Sequence, residues 1–453
     1  MIAPARLAAY QILTALSAGR ADLPTAIAHV RESLRDERDK ALAAEIATGV
    51  QRQRAALDFL IAHLAKRPLT RLDPEVVEVL RLSAYQLLHL SRVPAAAVVD
   101  DAVKLTGKAG KRSASGLVNA VLRTLSRKRS ALPLPERPVA PTDREQALEY
   151  LTITLSHPRW VAARWLDRLG FDRAEAWMQF NNRPAQLTLR ANPLRTSVSD
   201  LQNRLAQSEV VTRRGRFAPD TLVVEEGHPL RGPDAEAGLF VVQDEASQLV
   251  ALLAGEHPGP RVLDTCASPG GKTTAFAAAM RGEGLVVACD IRDRRMAILR
   301  QTITASGAGN VRLVQASILD PAPFQERFET VIVDAPCSGL GTLRRDPDIR
   351  WRRHESDLEP LVAAQRQMLR HAAGAVAPGG RLIYATCSTE PEENEHVAAA
   401  FGREMAGFEP VDARSVHADL SREVVDARGH LRTEPDRHGL EGFFGAVFAR
   451  HRP

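Results

Sequence analysis

The chain has 453 residues, of which 44% are hydrophobic and 25% are charged, and its formal net charge is +5. This balance is typical of a globular protein and excludes a collagen, a coiled-coil rod and a wholly disordered chain. No apolar run reaches the ~18 residues that a membrane span needs, and no basic start followed by a long apolar core indicates a signal peptide. The length predicts about two to four domains, and we expect a cytoplasmic protein.

The cysteines are few and widely separated in the sequence. They are Cys266, Cys289, Cys337 and Cys387. Four cysteines with this spacing do not form a disulfide framework, and no pair has the Cys-x-x-Cys spacing of a structural zinc site. The sequence therefore predicts no bound metal, and a monomer is the simplest expectation for its state of assembly.

The first 131 residues have the pattern of an all-helical domain. Apolar residues recur at helical spacing over 6–16, 41–64, 75–90, 94–105 and 115–125. Asp73 followed by Pro74 resembles an N-cap with proline at the first helical position. Residues 132–143 then hold four prolines, Pro133, Pro135, Pro138 and Pro141. This composition predicts a linker and a domain boundary.

Positive charge is concentrated in the first part of the chain. Residues 1–138 contain 22 basic and 13 acidic side chains, and residues 102–135 contain eight basic side chains and no acidic one. Such a segment attracts a polyanion at long range, or it is a solvated helical face. Charge alone does not distinguish RNA from DNA or from a membrane surface, so both interpretations stay open at this point.

The remainder of the chain divides into a small mixed segment and an α/β region. Residues 144–232 combine helical patterns at 159–169 and 200–207 with strand patterns at 186–190 and 221–224, which predicts a small α+β segment. From 233 to 453, predicted strands alternate with helices; these strands are 261–264, 285–290, 311–315, 330–334 and 381–385. This alternation predicts an open parallel sheet with helices on both faces.

A glycine-rich turn follows the first strand of the α/β region, between Asp264 and a helix that starts near Thr273. A P-loop requires glycine where the chain has Cys266, and the Gly-x-Gly-x-x-Gly of a dinucleotide fold is absent. A pocket for a methyl donor is the third alternative. Asp290 ends the next strand, where a carboxylate can accept both ribose hydroxyls of an adenosine or can simply cap the helix 292–305. The succession of Asp264, the glycines and Asp290 at strand ends favours the pocket.

Two cysteines follow strands of the same predicted sheet. Cys337 and Cys387 both lie just past a strand end, where ligands bind in such sheets, whereas Cys289 lies inside a strand and is expected to pack. Carbon 5 of cytosine is a weak nucleophile, but a thiolate that adds to carbon 6 converts it into an enamine-like one. Asp334, at the end of the strand before Cys337, could assist at N3 and the amino group of the base.

Three motifs resemble those of the bacterial Fmu/Sun (RsmB-type) family of 16S ribosomal RNA cytosine-C5 methyltransferases, and the resemblance covers nearly the whole chain. They are Asp-Thr-Cys-Ala-Ser-Pro-Gly-Gly-Lys-Thr at 264–273, Asp-Ala-Pro-Cys-Ser-Gly at 334–339 and Tyr-Ala-Thr-Cys-Ser at 384–388. The resemblance implies a NusB-like helical RNA-binding domain at 1–131 and a small α+β RNA-binding segment at 144–232. For residues 233–453 it implies a Rossmann-like class I methyltransferase domain.

The resemblance also implies roles for individual residues. Cys387 would be the nucleophile, and Cys337 would assist proton removal or product release. The residues implied to bind S-adenosylmethionine are Cys266, Ala267, Ser268, Pro269, Gly270, Gly271, Lys272, Asp290, Arg295, Ser317 and Asp334. Ser317 stands where the family usually has an acid that contacts the adenine amino group.

The implied partner is 16S ribosomal RNA, with no membrane. Residues 344–351 resemble an RNA-facing loop of the family, in which arginines suit phosphates and Trp351 either stacks on a base or packs. Two other functions stay open: an enzyme of the same fold that acts on transfer RNA, and a non-catalytic RNA-binding factor with a vestigial pocket.

Overall fold

The computed structural model describes residues 2–139, 143–321 and 323–452. The chain forms two compact units, Met1–Pro184 with Leu343–Glu355 and Ala185–Thr342 with Ser356–Pro453. Within the described ranges, no helix is both long enough and apolar enough to cross a membrane. Pro141 of the predicted linker lies outside the described residues. The predicted domain boundaries stay predictions.

The first unit is helical. Its helices are α1 (Pro4–Ser17), α2 (Leu23–Arg31), α3 (Glu37–Ala65), α4 (Pro74–His89), α5 (Ala95–Lys108), α6 (Ser115–Lys128), α7 (Arg144–Glu149), α8 (Arg159–Leu169) and α9 (Phe171–Asn181). Helices α1 to α6 enclose one apolar core, in which Ile46, Leu80 and Leu122 are fully buried. The helices predicted in residues 1–131 are confirmed. Helix α2 escaped prediction, although the side chain of Asp22 caps it by accepting from Thr25 N at 2.9 Å.

The prediction that Asp73 is the N-cap residue of α4, with Pro74 at the first helical position, is confirmed. Helix α4 does begin at Pro74, but no side-chain hydrogen bond from Asp73 caps it. Instead, the Asp73 carboxylate accepts from Lys111 Nζ at 2.9 Å. The Asp73 carboxylate thus forms an ion pair with Lys111, while the Asp73 carbonyl oxygen accepts from Val76 N at 2.9 Å and from Val77 N at 3.0 Å.

The predicted RNA-facing segment, residues 344–351, lies within the first unit, and its last residues form part of a one-turn helix, Ile349–Arg352. Arg350 is fully buried, and its guanidinium donates to the carbonyl oxygens of Ser156 at 2.9 Å and Arg52 at 3.3 Å. Trp351 is half-buried and donates from Nε1 to Gln51 O at 2.6 Å. Arg350 is therefore unavailable to a phosphate, contrary to expectation, and of the two alternatives for Trp351 the structure favours packing.

The second unit begins with a small antiparallel sheet. Its elements are β1 (Thr188–Ala191), α10 (Val198–Gln207), β2 (Val211–Arg214), β3 (Thr221–Glu226), α11 (Pro233–Glu236) and β4 (Phe240–Val242). The strand order is β2-β3-β1-β4, and every pairing is antiparallel. Leu201 and Leu205 of α10 join Leu189 and Leu222 of the sheet in one core. The strands predicted at 186–190 and 221–224 and the helix at 200–207 are confirmed.

A larger mixed sheet follows. Its strands are β5 (Arg261–Asp264), β6 (Leu285–Asp290), β7 (Val311–Gln315), β8 (Phe328–Asp334), β9 (Val376–Thr386), β10 (Phe408–Val411), β11 (Leu431–Arg432) and β12 (Phe444–Arg450). The order is β10-β12-β9-β8-β5-β6-β7, with β11 paired to β12. The five strands from β9 to β7 run parallel as predicted, whereas β12 is antiparallel to both β9 and β10. The expectation of a wholly parallel sheet is corrected at this edge.

Helices pack on both faces of the larger sheet. They are α12 (Glu245–Leu252), α13 (Gly271–Ala279), α14 (Asp293–Ser306), α15 (Leu358–Ala375) and α16 (Glu395–Glu404); a one-turn helix, α17 (Pro435–His438), precedes β12. Because side chains alternate along a strand, neighbouring residues belong to different cores. Val262 and Ile332 lie in one core, and Leu263 and Val331 lie in the other. The sheet is thus covered on both faces, and its strand-end edge is left to carry polar groups.

Candidate active site

The carboxyl ends of the five parallel strands lie side by side at one edge of the larger sheet. In spatial order, the strands end at Thr386 (β9), Asp334 (β8), Asp264 (β5), Asp290 (β6) and Gln315 (β7). Ligands bind at this edge in open α/β sheets. The site residues predicted in this unit therefore lie at or just past adjacent strand ends, although Cys266 and Cys387 are 121 positions apart in the sequence.

The glycine-rich turn, residues 265–270, connects β5 to α13. Gly270 has φ +109°, a conformation that favours glycine, and a Cβ atom there would lie 3.0 Å from Leu299 Cδ1. Ala267 N donates to Cys289 O at 2.8 Å, and Ser268 N donates to Asp290 Oδ2 at 3.1 Å. These bonds hold the turn against the end of β6, so that its backbone lies along the strand-end edge.

Asp290 does not cap the helix that follows it. The N-cap position of α14 is Arg292, and the Asp290 carboxylate instead accepts from Ser268 N and, through Oδ1, from Ile291 N at 2.8 Å. The capping alternative is wrong because the carboxylate turns back towards the glycine-rich turn. Arg295 Nη1 lies 3.9 Å from Oδ1. A carboxylate has about four lone-pair sites, so Asp290 retains the capacity to accept from a ligand.

Asp264 lies beneath the turn and is buried, with 1% of its surface exposed. Its Oδ2 accepts from Thr273 Oγ1 at 2.7 Å. Burial raises the pKa of Asp264 to about 7, although the bond from Thr273 acts in the opposite direction. Two cysteines near this turn, Cys266 and Cys289, are poor nucleophiles. Burial raises the pKa of Cys289 to about 12 and that of Cys266 still further. Cys289 packs in the core, as expected.

Lys272 and Asp334 form an ion pair at the centre of the edge. Lys272 Nζ donates to Asp334 Oδ2 at 2.7 Å and to Ser247 Oγ at 3.2 Å, and it lies 5.6 Å from the ring centroid of Phe443. Burial acts to lower the pKa of Lys272, but the attraction of Asp334 outweighs it and the pKa is raised. The ammonium group therefore stays charged. The Asp334 side chain remains 26% exposed and can contact a ligand.

The two cysteines that follow strand ends are in contact. Cys337 Sγ lies 3.3 Å from Cys387 Sγ. Cys337 is buried, whereas Cys387 is half-buried. The hydrogen bond to Cys387, together with burial, raises the pKa of Cys337 well above its ordinary value, so this sulfur keeps its proton. Backbone hydrogen bonds join the two segments, from Gly341 N to Cys387 O at 2.9 Å and from Ala335 N to Ala385 O at 2.8 Å.

Ser317 lies two residues beyond the end of β7. Its Oγ accepts from Leu319 N at 3.2 Å, and the neighbouring Ala316 N donates to Asp290 O at 3.2 Å. The structure therefore brings Ser317 to the same edge as Asp290, and its contact with adenine stays a prediction. Among the described residues, no group of three or more His, Cys, Asp or Glu side chains is arranged to hold a metal ion.

The basic stretch of the first unit is partly neutralised. Lys104 Nζ lies 2.5 Å from Asp100, and Lys111 is paired with Asp73. Helices α5 and α6 border an open groove of about 970 Å³, to which Arg123 and Arg127 contribute. The basic side chains thus include both ion-paired lysines and arginines that border a groove.

Sequence reasoning missed two parts of the site. Ser247, which accepts from Lys272, lies in residues 243–248, a segment that resembles part of the family but whose individual residues were assigned no role. Glu393 is fully buried and bonds to the segments that carry both cysteines. The acidic run after the second cysteine motif was the only signal for Glu393, and such a run by itself indicates a solvated surface.

Comparison with known families matches three parts of the chain. Residues 250–449 match the family described as 16S rRNA methyltransferase RsmB/F, and residues 3–127 match the NusB family. Residues 157–231 match the ferredoxin-like domain of RsmF/B-like methyltransferases. The three matches follow one another along the chain without overlap.

Individual proteins agree with these matches. The chain is 33% identical over 410 residues to ribosomal RNA small subunit methyltransferase B of Pseudomonas putida, covering 90% of this chain and 91% of that protein. The corresponding protein of Pseudomonas syringae is 32% identical over 412 residues, covering 90% and 88%. The crystal structure of PH0851 shares the fold over 99% of both chains, with a TM-score of 0.81 and 24% identity.

A methyltransferase homologue from Pyrococcus horikoshii has a TM-score of 0.58 and 28% identity, over 67% of this chain and 98% of its own. The matched families, the extent of the curated relatives and the shared fold agree with one another. The chain belongs to the RsmB/F family of 16S rRNA methyltransferases.

Proposed function

We propose that this protein transfers a methyl group from S-adenosylmethionine to carbon 5 of a cytosine in 16S ribosomal RNA, through a covalent bond between Cys387 and carbon 6. The observation that carries the proposal is the contact between two cysteine sulfurs, 3.3 Å apart, next to the Lys272–Asp334 ion pair. The names of the relatives in Pseudomonas supply the substrate, small-subunit ribosomal RNA.

The residues at the ends of β5, β6 and β7 fit S-adenosylmethionine. The Asp290 carboxylate would accept from the ribose hydroxyls, with Arg295 beside it, and Ser317 would lie towards the adenine. The glycine-rich turn would border the rest of the cofactor. Gly270 has a positive φ and no side chain, so the backbone of the turn can approach a ligand closely. When bound, the cofactor supplies an electrophilic methyl group on a sulfonium centre.

In the first step, the thiolate of Cys387 adds to carbon 6 of the cytosine. The new S–C6 bond breaks the C5=C6 double bond and makes carbon 5 nucleophilic. Asp334 is held by Lys272 and has exposed surface, so it can accept a hydrogen bond from the amino group of the base and orient the ring. The ion pair therefore keeps a hydrogen-bond acceptor at the position where the base would bind.

In the second stage, carbon 5 has gained the methyl group, S-adenosylhomocysteine is the leaving group, and carbon 5 still carries its hydrogen. A water molecule accepts that proton, the electrons of the C5–H bond re-form the C5=C6 double bond, and the electrons of the S–C6 bond return to the Cys387 sulfur. Cys337 keeps its own proton because its pKa is raised, and its sulfur lies 3.3 Å from that of Cys387. Its S–H can therefore donate to the departing sulfur, which favours the product-release role among the two implied for Cys337.

The first unit would contribute affinity for RNA. Arg123 and Arg127, which border the groove between α5 and α6, would contact phosphates. This contribution predicts that binding of 16S ribosomal RNA weakens as salt rises, and that R123A/R127A lowers the slope of that dependence.

Bisulfite sequencing of ribosomal RNA from a deletion strain tests the function. We expect one methylated cytosine of 16S RNA to lose its modification and to regain it when the wild-type gene is restored. Unchanged methylation throughout 16S RNA would contradict the proposal. Loss of methylation confined to transfer RNA would show that transfer RNA is the substrate instead.

A further inference from the structure

Glu393 lies in the segment between β9 and α16, and its side chain is fully buried. Its Oε1 accepts from Ser338 N at 2.8 Å and from Gln365 Nε2 at 2.9 Å. Its Oε2 accepts from Ser388 Oγ at 2.5 Å. A carboxylate that accepts three hydrogen bonds is well stabilised in a buried position, and each bond to a charged group is stronger than one between neutral groups.

The two serines that contact Glu393 immediately follow the two cysteines in the sequence. Ser338 follows Cys337, Ser388 follows Cys387, and the hydroxyl oxygens of the serines lie 3.1 Å apart. A single carboxylate therefore bonds to both cysteine-bearing segments at equivalent positions. It lies in the buried interior, whereas Cys387 is partly exposed to solvent.

Two neighbouring amides extend the same arrangement. Gln365 Nε2 donates to Pro336 O at 3.0 Å, on the other side of Cys337. Asn394 Nδ2 donates to Ser388 O at 2.9 Å, and Asn394 Oδ1 accepts from Thr386 Oγ1 at 2.5 Å. Each cysteine is thus flanked by residues whose positions are fixed by this buried network, in which Glu393 bonds to both segments.

We propose that Glu393 is a positioning residue that sets the separation of the Cys337 and Cys387 sulfurs. Its effect on geometry is independent of the reaction, whereas its effect on catalysis rests on the proposed function. A glutamine in its place could still accept from Ser338 N and Gln365. Its amide group would face the Ser388 hydroxyl without the negative charge, so the hydrogen bond to the Cys387 segment would be weakened.

Disulfide trapping measures the separation of the sulfurs without any substrate. Diamide takes two electrons and two protons from the pair of thiols, so that a disulfide forms and the diamide becomes a hydrazine. The sulfurs must approach from 3.3 Å to about 2.05 Å, and the rate depends on how well the two segments are held together. The full-length protein is treated with diamide, and the linked peptides are quantified by mass spectrometry.

We expect Glu393→Gln to form the Cys337–Cys387 disulfide about fivefold more slowly than the wild type, because a charged hydrogen bond is lost. Glu395→Gln is the matched control: this glutamate lies two positions away and pairs with Arg432 at 2.6 Å, so its rate should equal that of the wild type. Equal rates in Glu393→Gln and the wild type would overturn the proposal. If Glu393→Gln does not fold, Ser388→Ala replaces it, with a slowing of about twofold expected and an unchanged rate again contradictory.

Methylation assays separate this inference from the proposed function. With RNA and S-adenosylmethionine, Glu393→Gln should lower kcat, leave KM for the cofactor unchanged and accumulate a covalent RNA adduct on a denaturing gel. Slower trapping together with a wild-type enzyme that methylates no RNA would refute the function and keep the positioning role. Unchanged trapping with an active wild type would refute the positioning role alone.

Discussion

The two halves of the strand-end edge are built differently. At β5, β6 and β7, the contacts are made by the backbone: amides of the glycine-rich turn donate to Asp290 and to Cys289 O. At β8 and β9, the buried side chains of Gln365 and Glu393 bond to residues that flank the two thiols. The comparison suggests that the first half needs a backbone shape for binding, whereas the second needs exact side-chain positions for chemistry.

The largest effect should come from the thiol half. Cys387→Ser removes the nucleophile, and we expect turnover to fall at least ~1,000-fold, with binding of S-adenosylmethionine unchanged by calorimetry. Cys289→Ala, which alters a thiol packed in the core, is the matched control and should retain turnover within about twofold. If Cys387→Ser turned over at the wild-type rate, the division of the edge into a binding half and a chemical half would be lost.

The second thiol should show a different defect. Cys337→Ala leaves the nucleophile in place but removes the S–H that donates to the departing sulfur, so turnover should fall about 100-fold. A covalent RNA adduct should accumulate, visible as a slowly migrating band on a denaturing gel. An adduct in Cys387→Ser instead would show that the roles of the two thiols are exchanged.

Beneath the binding half, Asp264 predicts a dependence of stability on pH. Its folded-state pKa of about 7 lies above the ~3.9 of an unfolded aspartate, so the folded state binds the proton more tightly. The favourable contribution is complete below about pH 4 and is lost as pH rises to about 7. Relative to Asp264→Asn, the wild type should lose roughly 2–4 kcal/mol of unfolding free energy over this interval. Urea denaturation of both proteins measures this difference. A difference in unfolding free energy between the two proteins that stays constant from pH 4 to pH 7 would refute the prediction.

The smallest effect is expected at the end of β6, in the binding half. Asp290→Asn removes the charge that would accept from the ribose, so calorimetry should show about tenfold weaker binding of S-adenosylmethionine. At saturating cofactor, kcat should stay within about twofold of the wild type, since the thiols are untouched. A large loss of kcat at saturation would mean that the two halves are not separable.

The same contrast explains what the sequence predicted. The ends of β5, β6 and β7 were predicted to the residue, because short apolar runs end there in an aspartate or a polar residue. Gly270 was recognisable because a turn with positive φ favours glycine. These features are local in the chain, and local patterns are what a single sequence records.

Features that depend on distant segments were missed or left undecided. Asp73 occupies the predicted N-cap position, but the sequence did not show that its carboxylate pairs with Lys111, 38 positions away. The hydrogen bonds that Glu393 makes with both cysteine-bearing segments depend on how the helix Leu358–Ala375 packs against the sheet. No local sequence pattern predicts this packing. Trp351 was undecided because its partner, Gln51 O, is 300 positions away.

The antiparallel placement of β12 has a consequence for biosynthesis. Phe444–Arg450 inserts between β9 and β10, so the strand that leads to Cys387 gains its second neighbour only after residue 450 has left the ribosome. Until then, a nascent chain presents β9 as an open edge, and β10 has no partner in the sheet. The thiol half of the edge is therefore completed late in translation, whereas the strands of the binding half can pair while synthesis continues.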